Sequence, residues 1–182
     1  MKNIIRPAIV LLVVCTAAAL LLSVVNELTA ARIAENQAAA ENQAVRDLFG
    51  DGIETKELDG IPDYVKKIAL VTRNGETLGW SVSVSPNGFG GNIDMVVGIS
   101  ADRKIIGVSI TALSETPGLG SRVAEQSYLD GYAGLSGMIR LGDGIDAISG
   151  ATISSRSVLA GVNRALEAVS ERSASADASA GK

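Results

Sequence analysis

Residues 68–84 read IALVTRNGETLGWSVSV. Two β-prone runs, Ile68–Arg73 and Thr77–Val84, flank Asn74-Gly75. Asn-Gly accepts the positive φ angles that a two-residue hairpin turn needs, so this stretch predicts a tight β-hairpin. Ser81, Ser83 and Ser85 alternate with Val82 and Val84, which turns one face of the second strand to a core and the other to water. Outward from it, Ile93–Ser100 and Lys104–Ala112 are β-branched runs around the polar turn Ala101-Asp102-Arg103, a second hairpin. Gly88-Phe89-Gly90-Gly91 between the hairpins reads as a loop. Downstream the period changes. Ser121–Tyr132 is predicted helical and Leu135–Ile145 a loop with a short strand. From Ser154 to about Arg172, Val158, Leu159, Val162, Leu166 and Val169 recur at helical spacing. Strand pairs followed by helices predict an α+β fold over residues 62–172, a mostly antiparallel sheet with flanking helices. The tail SASADASAGK, residues 173–182, has no core-forming residue and is expected to be disordered.

Upstream, Pro7 to Asn26 reads PAIVLLVVCTAAALLLSVVN, twenty residues without a charge. As a helix that run spans roughly 30 Å, the thickness of a bilayer's hydrocarbon core. It is longer than the apolar region of a cleaved signal peptide and lacks a sharp small-x-small site at its end. It therefore predicts a single transmembrane anchor, residues 7–26. Lys2 and Arg6 precede it, Glu27 follows it, and the next basic residue is Arg32. That asymmetry places residues 1–6 in the cytoplasm and the body of the chain on the extracytoplasmic side of the cell membrane. Cys15, Thr16 and Ser23 read as packing residues of the span. One span forms no ion path of its own. Residues 27–61 read as a connecting helix, Glu27 to Phe49, stopped by Gly50-Asp51-Gly52 and followed by a linker.

Composition narrows the chemistry. The chain of 182 residues has no histidine and one cysteine. Ser-His-Asp and Cys-His nucleophile systems are excluded, as are His-ligated haem or zinc and cysteine-held iron–sulfur clusters. No intrachain disulfide is possible. The formal charge is −4 with no basic stripe, which argues against a nucleic-acid partner. Redox chemistry here would need an organic cofactor.

Two motifs could carry one. Glu115-Thr116-Pro117-Gly118-Leu119-Gly120 joins a strand to the next helix. Pro117 presets φ for the first central position of a type II turn, and Gly118 suits the positive φ of the second. Gly120 would let a flat ligand approach closely. Read by itself this is either a ligand loop or an ordinary strand-to-helix turn. Asp146-Ala147-Ile148-Ser149-Gly150-Ala151-Thr152 runs into Ile153-Ser154-Ser155-Arg156 at the start of the long amphipathic helix. The first turn of a helix has unpaired N–H groups and a partial positive charge, which favour a phosphate. Thr152, Ser154 and Ser155 could donate hydroxyl hydrogen bonds and Arg156 could add charge. The other reading of the same residues is plain N-capping by Ser154 or Thr152. Neither G-x-x-x-x-G-K-[ST] nor G-x-G-x-x-G is present.

Asp146 to Thr152 matches the pattern D-x-x-[ST]-G-A-T, at which flavin transferases attach FMN through its phosphate to the threonine hydroxyl. With Glu115–Gly120 about thirty residues upstream, the chain resembles the FMN-binding domain family. Over most of its length it is similar to the G subunits of Rnf ion-translocating electron-transport complexes. The likeness takes in the N-terminal anchor, the Gly-rich loop before Ile93, both motifs and the run S-G-A-T-I-S-S-R. The related C subunit of the sodium-translocating NADH:quinone reductase is generally longer.

The resemblance implies a membrane-anchored electron carrier with FMN held on Thr152 Oγ as a phosphoester. Ser149, Gly150 and Ala151 would shape the approach to that hydroxyl, and Asp146 would serve recognition by the transferase. Glu115, Thr116, Pro117, Gly118, Leu119 and Gly120 would line the isoalloxazine or ribityl part. Many members carry a histidine where this chain has Leu113, so no role of that histidine transfers. The implied activity is that of one subunit of a translocase that couples ferredoxin:NAD⁺ electron transfer to Na⁺ or H⁺ movement. Its implied partners are other integral-membrane and redox subunits, the flavin transferase and membrane lipid. The alternatives are an anchored structural or binding subunit without cofactor, and the flavin subunit of a different FMN-binding-domain reductase.

Overall fold

The computed structural model describes residues 2–180, with side chains from 5 to 173. The chain divides into two compact units, Met1–Ala39 and Ala40–Lys182. The first is part of helix α1, Lys2–Phe49. This helix contains an 18-residue window of mean hydropathy 2.9 whose side chains are not buried, so it is long and apolar enough to cross a membrane. Leu11, Leu12, Val13, Leu21 and Leu22 all stand exposed on it. No proline or glycine follows Pro7 within the helix, so nothing interrupts it where the apolar run gives way to Glu27.

The second unit is built on a five-stranded sheet in the order β1-β2-β3-β4-β5. The strands are β1 (Glu54–Glu57), β2 (Lys67–Arg73), β3 (Glu76–Val84), β4 (Ile93–Ser100) and β5 (Ile105–Leu113), and every neighbouring pair is antiparallel. Both predicted hairpins form. Asn74 and Gly75 take φ of 52° and 83°, the left-handed pair that a two-residue turn requires. The second turn closes with Arg103 at φ 61° and its N–H on the Ser100 carbonyl. Strand β1 falls in the segment expected to be a linker. Its residues, Glu-Thr-Lys-Glu, are all exposed and carry no apolar alternation, so only the free edge of β2 recruits them.

The sheet has two covered faces. One packs Val82, Val84, Met95, Val97, Ile99, Ile105 and Val108 against Val158, Val162, Ala165 and Val169 of helix α3, Thr152–Ala180. The other packs Val71 and Val96 against Ala44, Val45 and Phe49, the last turns of α1. Glycine makes this second contact possible. A Cβ on Gly107 would lie 2.8 Å from Leu48 Cδ2, and one on Gly98 would lie 3.2 Å from Phe49 Cε2. Gly50, at φ 82°, ends the helix by donating to the Arg46 carbonyl, and the Arg73 guanidinium donates to the Phe49 carbonyl.

One expectation is corrected. Residues 121–132 do not form one helix. They form a 3₁₀ turn at Gly120–Ala124, a single helical turn α2 at Gln126–Leu129, and a second 3₁₀ turn at Asp130–Tyr132. The buried residues Val123, Leu129 and Tyr132 are the reason. Polar Gln126 and Ser127 stand where a continuous helix would need an apolar residue between Val123 and Leu129, so short turns aim each one inward separately. Tyr132 is fully buried, edge-to-face with Tyr128 at 5.8 Å between ring centroids, and burial raises its pKa. The backbone of α3 is helical through Ala180. Residues 181 and 182, the end of that expected tail, lie outside the described residues.

Asp94 on β4 gives an acid-sensitive contact. Its Oδ1 accepts from Lys66 Nζ at 2.6 Å and from Ser85 Oγ. Burial works to raise its pKa, but the hydrogen bonds from Lys66 and Ser85 and the Lys66 charge outweigh burial and hold the carboxyl below its usual range. A folded pKa below the unfolded one means stability that is complete above about pH 4 and lost as pH falls through the folded value. Asp94→Asn is therefore expected to flatten the acid limb of the stability profile. Denaturant melts of the detergent-solubilised chain from pH 6 to 3 check it. Equal acid slopes in variant and wild type would refute the assignment.

Candidate functional site

Two loops carry the motifs, and the fold brings them together beside the N-terminus of α3. The first leaves β5. Leu119 N–H bonds the Thr116 carbonyl at 3.2 Å across Pro117 and Gly118, and Gly118 has φ 75°. This is the expected turn. Ser121, which the motif does not include, braces it by accepting from Gly118 N–H at 2.9 Å. The second loop makes a like turn. Ala151 N–H bonds the Ile148 carbonyl at 2.9 Å across Ser149 and Gly150, and Gly150 has φ 80°. A positive φ at the third position is what a type II turn demands, and it explains glycine at both sites. The two turns touch. A Cβ on Gly150 would sit 2.9 Å from Leu119 Cδ1.

Helix α3 starts immediately after the second turn. Its first backbone bond runs from Ser155 N–H to the Ala151 carbonyl at 2.9 Å. The residue at the capping position is thus Ala151, which has no side-chain oxygen. Neither Thr152 nor Ser154 caps the helix, contrary to the plain-capping alternative. Among the described residues, no acceptor meets the N–H groups of Thr152, Ile153 and Ser154. These three donors and the positive end of the helix are open to an anion.

A cavity of about 320 Å³ lies between the loops, lined by Phe89, Glu115, Thr116, Leu119, Gly120, Gly150, Ala151, Thr152, Ile153 and Ser154. Eight of these ten are residues that the sequence singles out. Thr152 is exposed at the mouth, and its hydroxyl makes no hydrogen bond within the described part of the chain. The walls are largely apolar: Leu119, Ile153 and Phe89 are all exposed there. An apolar slot beside uncapped helix donors and a free hydroxyl fits a flat aromatic cofactor with a phosphate at one end.

Other expected residues stand elsewhere. Pro117 and Gly118 form the turn but do not line the cavity, nor does Ser149. Ser155 is fully buried and accepts from Ile148 N–H at 3.1 Å, so it fastens the incoming loop to the helix. Arg156 faces a separate groove with Ser85, Pro86, Asn87 and Arg164. Asp146 is exposed before the turn and outside the cavity. Glu115 is buried, and its carboxylate accepts from Phe89 N–H at 2.6 Å and Gly90 N–H at 3.3 Å. In the sequence Phe89 is only one member of a glycine loop. Its place in the cavity depends on that long-range contact, which spacing along the chain does not reveal. No group of metal-ligating side chains occurs among the described residues.

Residues 88–167 match the FMN-binding domain, and residues 1–48 match the RnfG N-terminal region. The G subunit of the ion-translocating oxidoreductase complex of Pseudomonas aeruginosa is 31% identical, over 91% of this chain and 88% of the relative. The G subunit of the Na⁺-translocating ferredoxin:NAD⁺ oxidoreductase complex of Acetobacterium woodii is 28% identical, over 91% of each. The proton-translocating counterpart of Clostridium ljungdahlii is 28% identical, over 87% of this chain and 88% of the relative. The crystal structure of Shewanella oneidensis NqrC shares the fold, with a TM-score of 0.51 at 19% identity, covering 74% of this chain and 91% of that one. With residues 1–48 and 88–167 matched by the two family models and 91% of the chain aligned with a relative at 31% identity, the chain belongs to the G-subunit family of ion-translocating oxidoreductase complexes and carries that family's FMN-binding domain.

Proposed function

We propose that this chain is the flavin-bearing electron carrier of a membrane complex and that FMN is joined by a phosphoester to Thr152 Oγ. The observation that carries the reading is the exposed Thr152 hydroxyl at an uncapped helix N-terminus, on the rim of a cavity that both motifs line. The N–H groups of Thr152, Ile153 and Ser154 receive the phosphate, and Leu119, Ile153 and Gly120 bound the space for the ring. FMN supplies one- and two-electron redox chemistry, which a chain without histidine or a thiol pair cannot supply itself. The covalent bond keeps the cofactor in place on a side of the membrane where a dissociable flavin would be lost by dilution. Asp146, exposed just before the turn, is offered to the transferase.

The complex is of the ferredoxin:NAD⁺ oxidoreductase type, after the names of the relatives from A. woodii and C. ljungdahlii. Its other membrane and redox subunits supply the ion path and the nucleotide site. Residues 7–26 span the membrane, residues 1–6 are cytoplasmic, and residues 62–172 form the flavin domain on the extracytoplasmic side. The test is intact mass and peptide mapping of the chain produced with an active flavin transferase. The expected result is a gain of one FMN less one water on the peptide that contains Thr152. An unmodified mass, with the transferase active on another substrate, would reject the reading.

A further inference from the structure

The loop Gly88-Phe89-Gly90-Gly91 is built so that one side chain projects from it. A Cβ on Gly88 would fall 2.0 Å from Glu115 Oε1, one on Gly90 2.3 Å from the Ser114 carbonyl oxygen, and one on Gly91 2.8 Å from Ser114 Cβ. The loop backbone therefore lies flat on residues 114 and 115, and only glycine fits at those positions. Gly88 N–H closes the loop on the Gly91 carbonyl at 2.7 Å. The buried Glu115 carboxylate then holds it from below by accepting from Phe89 N–H and Gly90 N–H. Charge-assisted bonds of this kind are stronger than neutral ones. The same carboxylate fills the space beside Gly120, where a Cβ would lie 2.4 Å from Glu115 Oε2.

The consequence is an aromatic ring presented to the cavity on a rigid support. Phe89 is 72% exposed, although an isolated phenylalanine gains by burial. It shares the cavity with Leu119, Thr152 and Ile153. The geometry points to Phe89 as the ring that packs against the isoalloxazine, and to Glu115 as the positioning residue that aims Phe89 through the loop backbone. This rests on the reading that FMN is carried at Thr152. It assigns the two loops different tasks: the helix N-terminus fixes the phosphate end, and the glycine loop orders the ring end.

The test uses the full chain, produced with the flavin transferase and purified in detergent. Mass spectrometry gives the flavin content of each protein. Time-resolved flavin fluorescence, normalised to that content, reports an electron-donating ring against the isoalloxazine: tryptophan and tyrosine quench excited flavin by electron transfer at van der Waals distance, and phenylalanine does not. Phe89→Trp and Phe89→Tyr are therefore expected to add a short-lived component that wild type and Phe89→Leu lack, with an amplitude about 2- to 10-fold that of the long-lived one, the range that aromatic-pair energies give. Glu115→Gln should lower that ratio in the Phe89→Trp background and leave the lifetimes of the Phe89→Leu background unchanged, so that its effect runs through residue 89. Absence of the short-lived component from both Phe89→Trp and Phe89→Tyr overturns the proposal and leaves the Thr152 reading standing. An unchanged ratio on Glu115→Gln, or altered lifetimes in the Phe89→Leu background, overturns the positioning role. Wild-type protein without flavin overturns the Thr152 reading, and this proposal with it.

Discussion

Thr152→Ala is expected to abolish covalent flavin completely while the domain stays folded. The phosphoester needs an oxygen nucleophile at this position, and alanine has none. Exposed Ser149 is displaced from the cavity lining, and buried Ser155 is occupied with Ile148 N–H, so neither neighbour substitutes. Stability should change by no more than about 0.5 kcal/mol, because Thr152 is exposed and its hydroxyl caps nothing. Alanine is in addition a better helix former than threonine. The measurement pairs intact mass with a thermal melt monitored by far-UV circular dichroism. A folded variant that retained a stoichiometric flavin adduct would place the linkage on another residue. Thr152→Ser, which keeps a hydroxyl at the same place, is the control that separates loss of the nucleophile from loss of the transferase's access.

Gly79→Ala should be among the most damaging small substitutions in the chain. Gly79 lies on β3, paired with Val71 on one side and Ser100 on the other, at φ 154°. A Cβ there would be 2.0 Å from the Ile99 carbonyl oxygen and 2.8 Å from Ser100 Cα. Both are backbone atoms of the central strand pair, so relief requires β3 and β4 to part. The β3–β4 pairing carries Val82 and Val84 opposite Val97 and Met95, all in the core against α3. The expected cost is roughly 3 kcal/mol. For a domain of this size that corresponds to a fall in Tm of about 10 °C. A variant that melts within about 2 °C of wild type would mean that the strand edge yields far more easily than its pairing suggests.

Much of the fold is legible along the chain because it is local. The β-prone run Thr77–Val84, Asn74-Gly75 at the turn and the apolar stripe of Val158, Val162 and Val169 each act within a few residues, so the sheet and its last helix follow from the chain itself. The expectation that Ser81 and Ser83 face water fails: both are buried, because the face they share with Val96 is covered as well. The segment 121–132 departs from its helical expectation for the opposite reason: its conformation answers to where Val123, Leu129 and Tyr132 must go, and that is set by the sheet they cover. Strand β1 carries no signal of its own because an exposed edge strand needs no pattern, only a neighbour with unpaired backbone.

The same division runs through the site. The residue types at Glu115–Gly120 and Asp146–Thr152, the positive φ at Gly118, the apolar run near the N-terminus and the absence of histidine were determined by the sequence alone. Turn geometry and nucleophile identity are properties of single residues and their immediate neighbours. Only the tertiary structure decided that the two motifs share one cavity, that Ala151 rather than a serine or threonine stands at the helix cap, that Ser155 and Arg156 turn away, and that Glu115 grips the glycine loop beneath Phe89. Each of those depends on the meeting of segments that are tens of residues apart. Such meetings are chosen by how the whole core packs, which no short stretch of sequence encodes.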